Sequence, residues 1–188
     1  MIKLGILSSR RGTHLAAILD AISQKDLSAS VEIILSNRAD ALILERAKAQ
    51  HIPAQYLDPT GLTREVYDQQ VASVLKQYAV DVIVLMGYMR ILSRDFVDRW
   101  QGKIINVHPS LLPAHAGKMD LDVHRAVLLA QERESGCSVH QVTAEVDAGP
   151  IILQKRCVVL PDDTPETLKA RVQALEGEAL VEALGRFN

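Results

Sequence analysis

An amide and an imidazole stand two residues apart at the end of one apolar run, Asn106-Val107-His108, followed by Pro109-Ser110-Leu111-Leu112-Pro113. Side chains at i and i+2 of a strand share a face, about 6.5 Å apart along the backbone, so both can look into one pocket. An amide donor beside a group that titrates near neutrality suits chemistry in which a carbonyl oxygen gains charge while a proton moves. The strand expected to carry the pair is 103–107. Pro109 has no N–H to continue a ladder and restricts His108 to extended geometry, so the two groups sit where a strand stops. In open α/β sheets ligands bind there, outside the carboxyl ends of the strands. A carboxylate is available in Asp147-Ala148-Gly149-Pro150. If that turn folds toward His108, Asp147 favours the charged imidazolium and the pair becomes an acid. The plainer alternatives are that Asp147 closes an Asx-turn ahead of Gly149, and that Asn106 and His108 are satisfied core polar residues.

Two further segments carry candidate chemistry. Ser8-Ser9-Arg10-Arg11-Gly12-Thr13-His14 leads from an apolar run into the helical pattern Leu15-Ala16-Ala17-Ile18-Leu19. A helix N-terminus there offers free N–H groups and a positive dipole, and Gly12 permits close backbone approach to a phosphate. The segment lacks both Gly-x-Gly-x-x-Gly and the Gly-Lys-Ser/Thr of a P-loop, which favours a phosphate monoester over a dinucleotide or nucleoside triphosphate. The alternative is a capped turn with two solvated arginines. Arg64 and the run Met86 to Leu92 offer a cation and an apolar slot for a flat ring, or simply a packed strand-to-helix loop. His108, His115, His124, Cys137, His140 and Asp147 could in principle hold zinc. Residues 137 and 140 fall on opposite faces of a strand, however, and no His-Glu-x-x-His or paired-cysteine motif accompanies them, so no metal is expected.

Alternation of short apolar runs with helix-period stretches positions these groups. Strands are predicted at 2–7, 31–36, 53–57, 81–86 and 103–107, and helices at 14–24, 40–50, 63–78 and 93–99. This repeated βαβ unit predicts a mostly parallel sheet with helices on both faces. Residues 109–123 read as a long loop, followed by a helix at about 124–132. Strands at 137–143 and 151–160 are joined too closely for anything but an antiparallel pair. Thr164 and Pro165 start a final helix running to about 186.

Length fits one domain. The hydrophobic content is 48% against 23% charged residues, which is ordinary for a globular chain. A formal charge of -2, from 21 basic and 23 acidic residues, supplies no global field for nucleic acid or anionic membrane, so any phosphate must be held locally. No apolar run approaches the roughly 20 residues of a spanning helix, and the start is too short for a signal peptide. The cytoplasm is the expected location, with Cys137 and Cys157 as reduced thiols.

Assembled, the constellation is specific: Met89-Arg90-Ile91-Leu92, Asn106-x-His108-Pro109-Ser110-Leu111-Leu112-Pro113, Gly136-Cys137-Ser138-Val139-His140, Asp147-Ala148-Gly149-Pro150 and Arg171-Val172-Gln173. Over nearly the whole chain it resembles the phosphoribosylglycinamide formyltransferases, a folate-dependent family of purine synthesis. The resemblance implies a single Rossmann-like domain over 1–188. Its first half, about 1–100, would be the ribonucleotide side, and about 101–188 the catalytic and folate side. It implies that the amine of glycinamide ribonucleotide attacks the formyl carbon of 10-formyltetrahydrofolate, without a metal, in a monomer or homodimer. Carried over by position, Asn106, His108 and Asp147 form the catalytic trio. Arg64, Met89 to Leu92, Asn106 and Thr143-Ala144-Glu145-Val146-Asp147 would line the folate pocket. Gly12, Thr13, His14, Pro109, Gln173 and Glu176 would meet the ribonucleotide, with Glu176 at its amine.

Two segments depart from the family pattern. Arg10-Arg11-Gly12-Thr13-His14-Leu15 lacks the first glycine of the usual Gly-x-Gly-Ser/Thr-Asn-Leu and has histidine in place of asparagine. Gly117 to His124 is about three residues longer than the common form and lacks its usual histidine pair. Methionyl-tRNA formyltransferase and formyltetrahydrofolate hydrolase resemble the same core, but the length leaves no room for the tRNA-binding or regulatory domains they add. A sugar-nucleotide amine formyltransferase and a non-catalytic folate- or nucleotide-binding module are the remaining alternatives.

Overall fold

β-branched and leucine-rich segments too short for helices become strands, and the computed structural model, which describes residues 1–187, joins seven of them into one sheet. They are β1 (Ile2–Leu7), β2 (Ala29–Ser36), β3 (Ala54–Tyr56), β4 (Val82–Leu85), β5 (Ile104–His108), β6 (Glu134–Gln141) and β7 (Ile151–Val158), in the spatial order β3-β2-β1-β4-β5-β6-β7. The helices are α1 (Leu15–Ser23), α2 (Leu42–Ala49), α3 (Arg64–Gln77), α4 (Arg94–Arg99), α5 (Leu121–Leu129) and α6 (Pro165–Leu184). Strands β1 to β5 pair in parallel, while β6 runs against both its neighbours. The reversal is therefore one strand, β6, and β7 resumes the common direction.

Period-2 alternation sorts the strand side chains onto two faces. Leu4, Ile6, Ile34, Val84, Ile105 and Val139 pack with α1, α2 and α6 on one face. Leu7, Ile33, Leu35, Ile83, Leu85 and Ile104 pack with α3 and α4 on the other. Helix α6 starts at a reciprocal cap: the Thr167 N–H donates to Thr164 Oγ1 (3.2 Å), and the Thr164 N–H donates to Thr167 Oγ1 (2.9 Å). Such caps are worth about 1 kcal/mol. With its start fixed, α6 aims Lys169, Gln173 and Glu176, at i, i+4 and i+7, toward the strand ends. No helix among the described residues is long and apolar enough to cross a membrane.

Element boundaries differ from the sequence expectation where they touch the site. β5 runs through His108 rather than stopping at 107, because the missing N–H takes effect only at Pro109 itself. β6 begins at Glu134, which pairs with Val158, so Gly136 marks no boundary. The loop after β5 ends sooner than expected, since α5 begins at Leu121. Its N-cap Asp120 stands at φ 56° and makes no capping bond, leaving no cap signal to read.

Candidate active site

A cavity of about 890 Å³ opens at the carboxyl ends of β1, β4 and β5 and takes in every residue expected of the site except Arg64. Arg64 stands exposed at the first position of α3, outside the cavity's lining.

The polar face of the cavity follows from register. Asn106 and His108 share a face of β5, and antiparallel pairing sets His140 directly opposite Asn106. His140 Nδ1 donates to the Gln141 carbonyl (2.9 Å), so its Nε2 carries the lone pair and accepts from Asn106 Nδ2 (3.2 Å). That contact fixes the amide's orientation and leaves its second N–H for the cavity. The segment 142–150 folds across this face. Gly149 lies so close to the Gln141 carbonyl that a Cβ there would collide with it, so only glycine lets the turn descend onto β6. Asp147 Oδ2 then lies 3.4 Å from His108 Nδ1 and Oδ1 lies 3.6 Å from His140 Nε2. His108 is 4% exposed, and its other nitrogen, Nε2, is 3.3 Å from the His115 carbonyl. Both ring nitrogens face acceptors, an arrangement satisfied by N–H on both. The strand, the turn and the loop thus meet as the residue types suggested, and the Asx-turn alternative for Asp147 is not what the carboxylate does.

His140 is the functional residue that sequence reasoning missed. It stands there as a zinc candidate and as the last residue of the motif Gly136 to His140, without a role; the available signal was its parity with Ser138 on one strand. Cys137 points the other way, into the core beside Val139, where burial pushes its thiol up to about 12. Among the described residues no group of three or more His, Cys, Asp or Glu side chains is arranged to hold a metal ion.

Burial lowers the pKa of His140 and of His124, which is 1% exposed. Both groups stay neutral in the fold, while in the unfolded chain they take up protons near the ordinary value of 6.5. As pH falls below 6.5 the unfolded state binds more protons, and stability declines toward the depressed folded values. Thermal melts should therefore give a Tm that falls between pH 7 and pH 5, with a shallower slope in His124→Asn. An unchanged slope would remove His124 from the account.

At the other end of the cavity the phosphate-type loop is built as the helix argument requires, with one difference. Gly12 sits at φ 61° and a Cβ there would run into Ile43 of α2, so glycine is demanded by helix packing as well as by the turn. The N–H groups of Gly12, Thr13 and His14 make no backbone hydrogen bond and remain free for an anion. His14 Nε2 pairs with Glu176 at 2.6 Å, both groups nearly buried. Lys169 of α6 and Arg10 both pair with Asp120. This end of the cavity is built from both halves of the chain.

The remaining wall is the slot formed by Met89 to Leu92 and Thr143 to Val146. The Met89 N–H donates to Ser9 Oγ (2.8 Å), tying the segment to the end of β1. The Arg90 guanidinium lies 4.4 Å over the Tyr67 ring. Met89, Ile91, Leu92, Ala144 and Val146 give the slot apolar surface beside the polar Arg90, Thr143 and Glu145, a mixture suited to a flat heterocycle.

Sheet order, a switch-point cavity and this trio define a group-transfer enzyme of the formyl transferase family, to which the chain belongs: the family model matches residues 2–184. The chain is 42% identical to the phosphoribosylglycinamide formyltransferase of Escherichia coli (strain K12) over 172 residues, 91% of this chain and 80% of that protein. It is also 42% identical, over 97% of its length, to the trifunctional purine biosynthetic protein adenosine-3 of Drosophila pseudoobscura pseudoobscura, of which it spans 13%. Glycinamide ribonucleotide transformylase 1 from Symbiobacterium toebii superposes with a TM-score of 0.93 at 41% identity, covering 100% of this chain and 87% of that one.

Proposed function

We propose that this formyltransferase moves the formyl group of 10-formyltetrahydrofolate to the amine of glycinamide ribonucleotide. The observation that carries the reading is the span of one cavity from the Met89 to Leu92 slot, past Asn106, His108 and Asp147, to the free N–H groups at Gly12 to His14. A flat folate, a reacting carbon and a phosphate monoester match those three stations in order.

In this reading the amine, held by Glu176, forms a bond to the formyl carbon. The carbonyl oxygen becomes an oxyanion that takes the second N–H of Asn106. Preorganised donors of this kind are worth roughly 10²–10³ in rate. His108, with Asp147 facing Nδ1, gives the proton that lets the folate nitrogen leave as the old C–N bond breaks; the attacking amine loses a proton to solvent. Thr143 to Val146 and Met89 to Leu92 hold the folate, and Gly12, Thr13, His14, Pro109 and Gln173 hold the ribonucleotide.

The test is an acceptor panel. With 10-formyltetrahydrofolate supplied, loss of the formyl group should be fast with glycinamide ribonucleotide and at least about 10²-fold slower with sugar-nucleotide amines, because a site built for polar contacts rejects a mismatched partner strongly. Saturable turnover of a sugar-nucleotide amine with none of glycinamide ribonucleotide would reassign the acceptor.

A further inference from the structure

The loop between β5 and α5 occupies the site's own functional groups. Its His115 carbonyl lies 3.3 Å from His108 Nε2, its Gly117 N–H donates to Asp147 Oδ2 at 2.8 Å, and its Asp120 carboxylate pairs with both Arg10 and Lys169. One short segment therefore covers the acid, the carboxylate behind it and the cations beside the phosphate loop. Asp120 stands immediately before α5. It adopts φ 56° and ψ −133°, and it reaches away from the α5 N-terminus that an aspartate in its place ordinarily caps. Nearby, His124 is buried with Nδ1 unpartnered and faces the same cavity. Such an orphaned polar atom calls for a partner.

We propose that Asp120 is an internal anion that holds Arg10 and Lys169, and with them the closed loop, until the phosphate of the acceptor replaces it. The inference rests on the acceptor reading above. A phosphate dianion carries more charge than a carboxylate and accepts from Arg10, Lys169 and the loop N–H groups together. Once Asp120 is displaced, the segment behind it retreats, and three residues away Gly117 leaves Asp147 while the His115 carbonyl leaves His108. The phosphate that takes the two cations thereby also uncovers the acid and the carboxylate behind it. Two partly exposed ion pairs bias the closed state by about five- to tenfold, and apparent acceptor affinity falls by the same factor.

Asp120→Asn is the test, because asparagine tolerates φ 56° and keeps the side chain's shape while removing its charge. Two measurements read it. Lys118 is exposed in the latched segment, so trypsin cleavage after Lys118 reports opening. Inorganic phosphate should accelerate that cleavage about fivefold in the wild type over sodium chloride of equal ionic strength, and the variant should be cut rapidly without phosphate. In turnover, the variant should show an acceptor KM about fivefold lower with kcat little changed. A merely structural role would instead lower kcat and Tm together. Phosphate-insensitive cleavage with an unchanged KM in the variant would overturn the latch. If phosphate opens the segment while wild-type enzyme ignores glycinamide ribonucleotide, the latch stands and the acceptor assignment falls.

Discussion

Replacement of His108 by alanine lowers kcat for formyl transfer by about 10²–10⁴, the range lost when a positioned general acid is removed. Affinity for a non-reactive folate analogue stays close to wild type. The expectation follows from what the ring touches: His108 is buried, one nitrogen faces Asp147 Oδ2 and the other faces a loop carbonyl that substrate must replace. None of those contacts belongs to the slot at Met89 to Leu92 that would receive the folate ring. Single-turnover rates alongside equilibrium titration separate the two effects. Equal turnover in the variant would leave a binding module and end the catalytic assignment.

Asn106→Ala should cost about 10²–10³ in kcat, as removal of one oxyanion donor does. His140 gives this prediction a second, sharper part. Its Nε2 accepts one N–H of the Asn106 amide while its Nδ1 is fixed by the Gln141 carbonyl, so its shortest contact with the expected reacting groups is the one that holds that amide. His140→Ala should therefore lower kcat by less than Asn106→Ala, and the double variant should be no worse than Asn106→Ala alone. Fully multiplicative losses in the double variant would mean that His140 contributes separately from the amide.

How far the sequence reached depended on the distance over which each relation acts. The placement of Asn106 and His108 on one face needs only strand parity, and a mostly parallel sheet follows from the βαβ rhythm. Both were legible. The approach of Asp147 depends on a nine-residue excursion that descends because Gly149 can lie against the Gln141 carbonyl, and no local pattern states where such a turn lands. The pairing of His140 with Asn106 needs the register between β5 and β6, which side-chain chemistry at neither position encodes alone. Asp120 is further out of reach still, since its partners lie 110 and 49 residues away in sequence. Arg64, a cation expected at the folate pocket, stands exposed on α3 outside the cavity's lining, while Arg90, expected there too, is stacked on Tyr67 and lines the wall.

The opposition of Asn106 and His140 across β5 and β6 has a consequence for how such an enzyme can be altered. A one-residue slip between those strands would turn the amide's anchor to the far side of the sheet, so the atoms that make and break bonds tolerate no insertion or deletion. The stretch ending at Asp120 is anchored by side-chain ions and single backbone contacts, and it can lengthen or shorten without disturbing any ladder. Redesign for a different amine should accordingly begin with the length of that stretch, leaving the reaction's own geometry untouched.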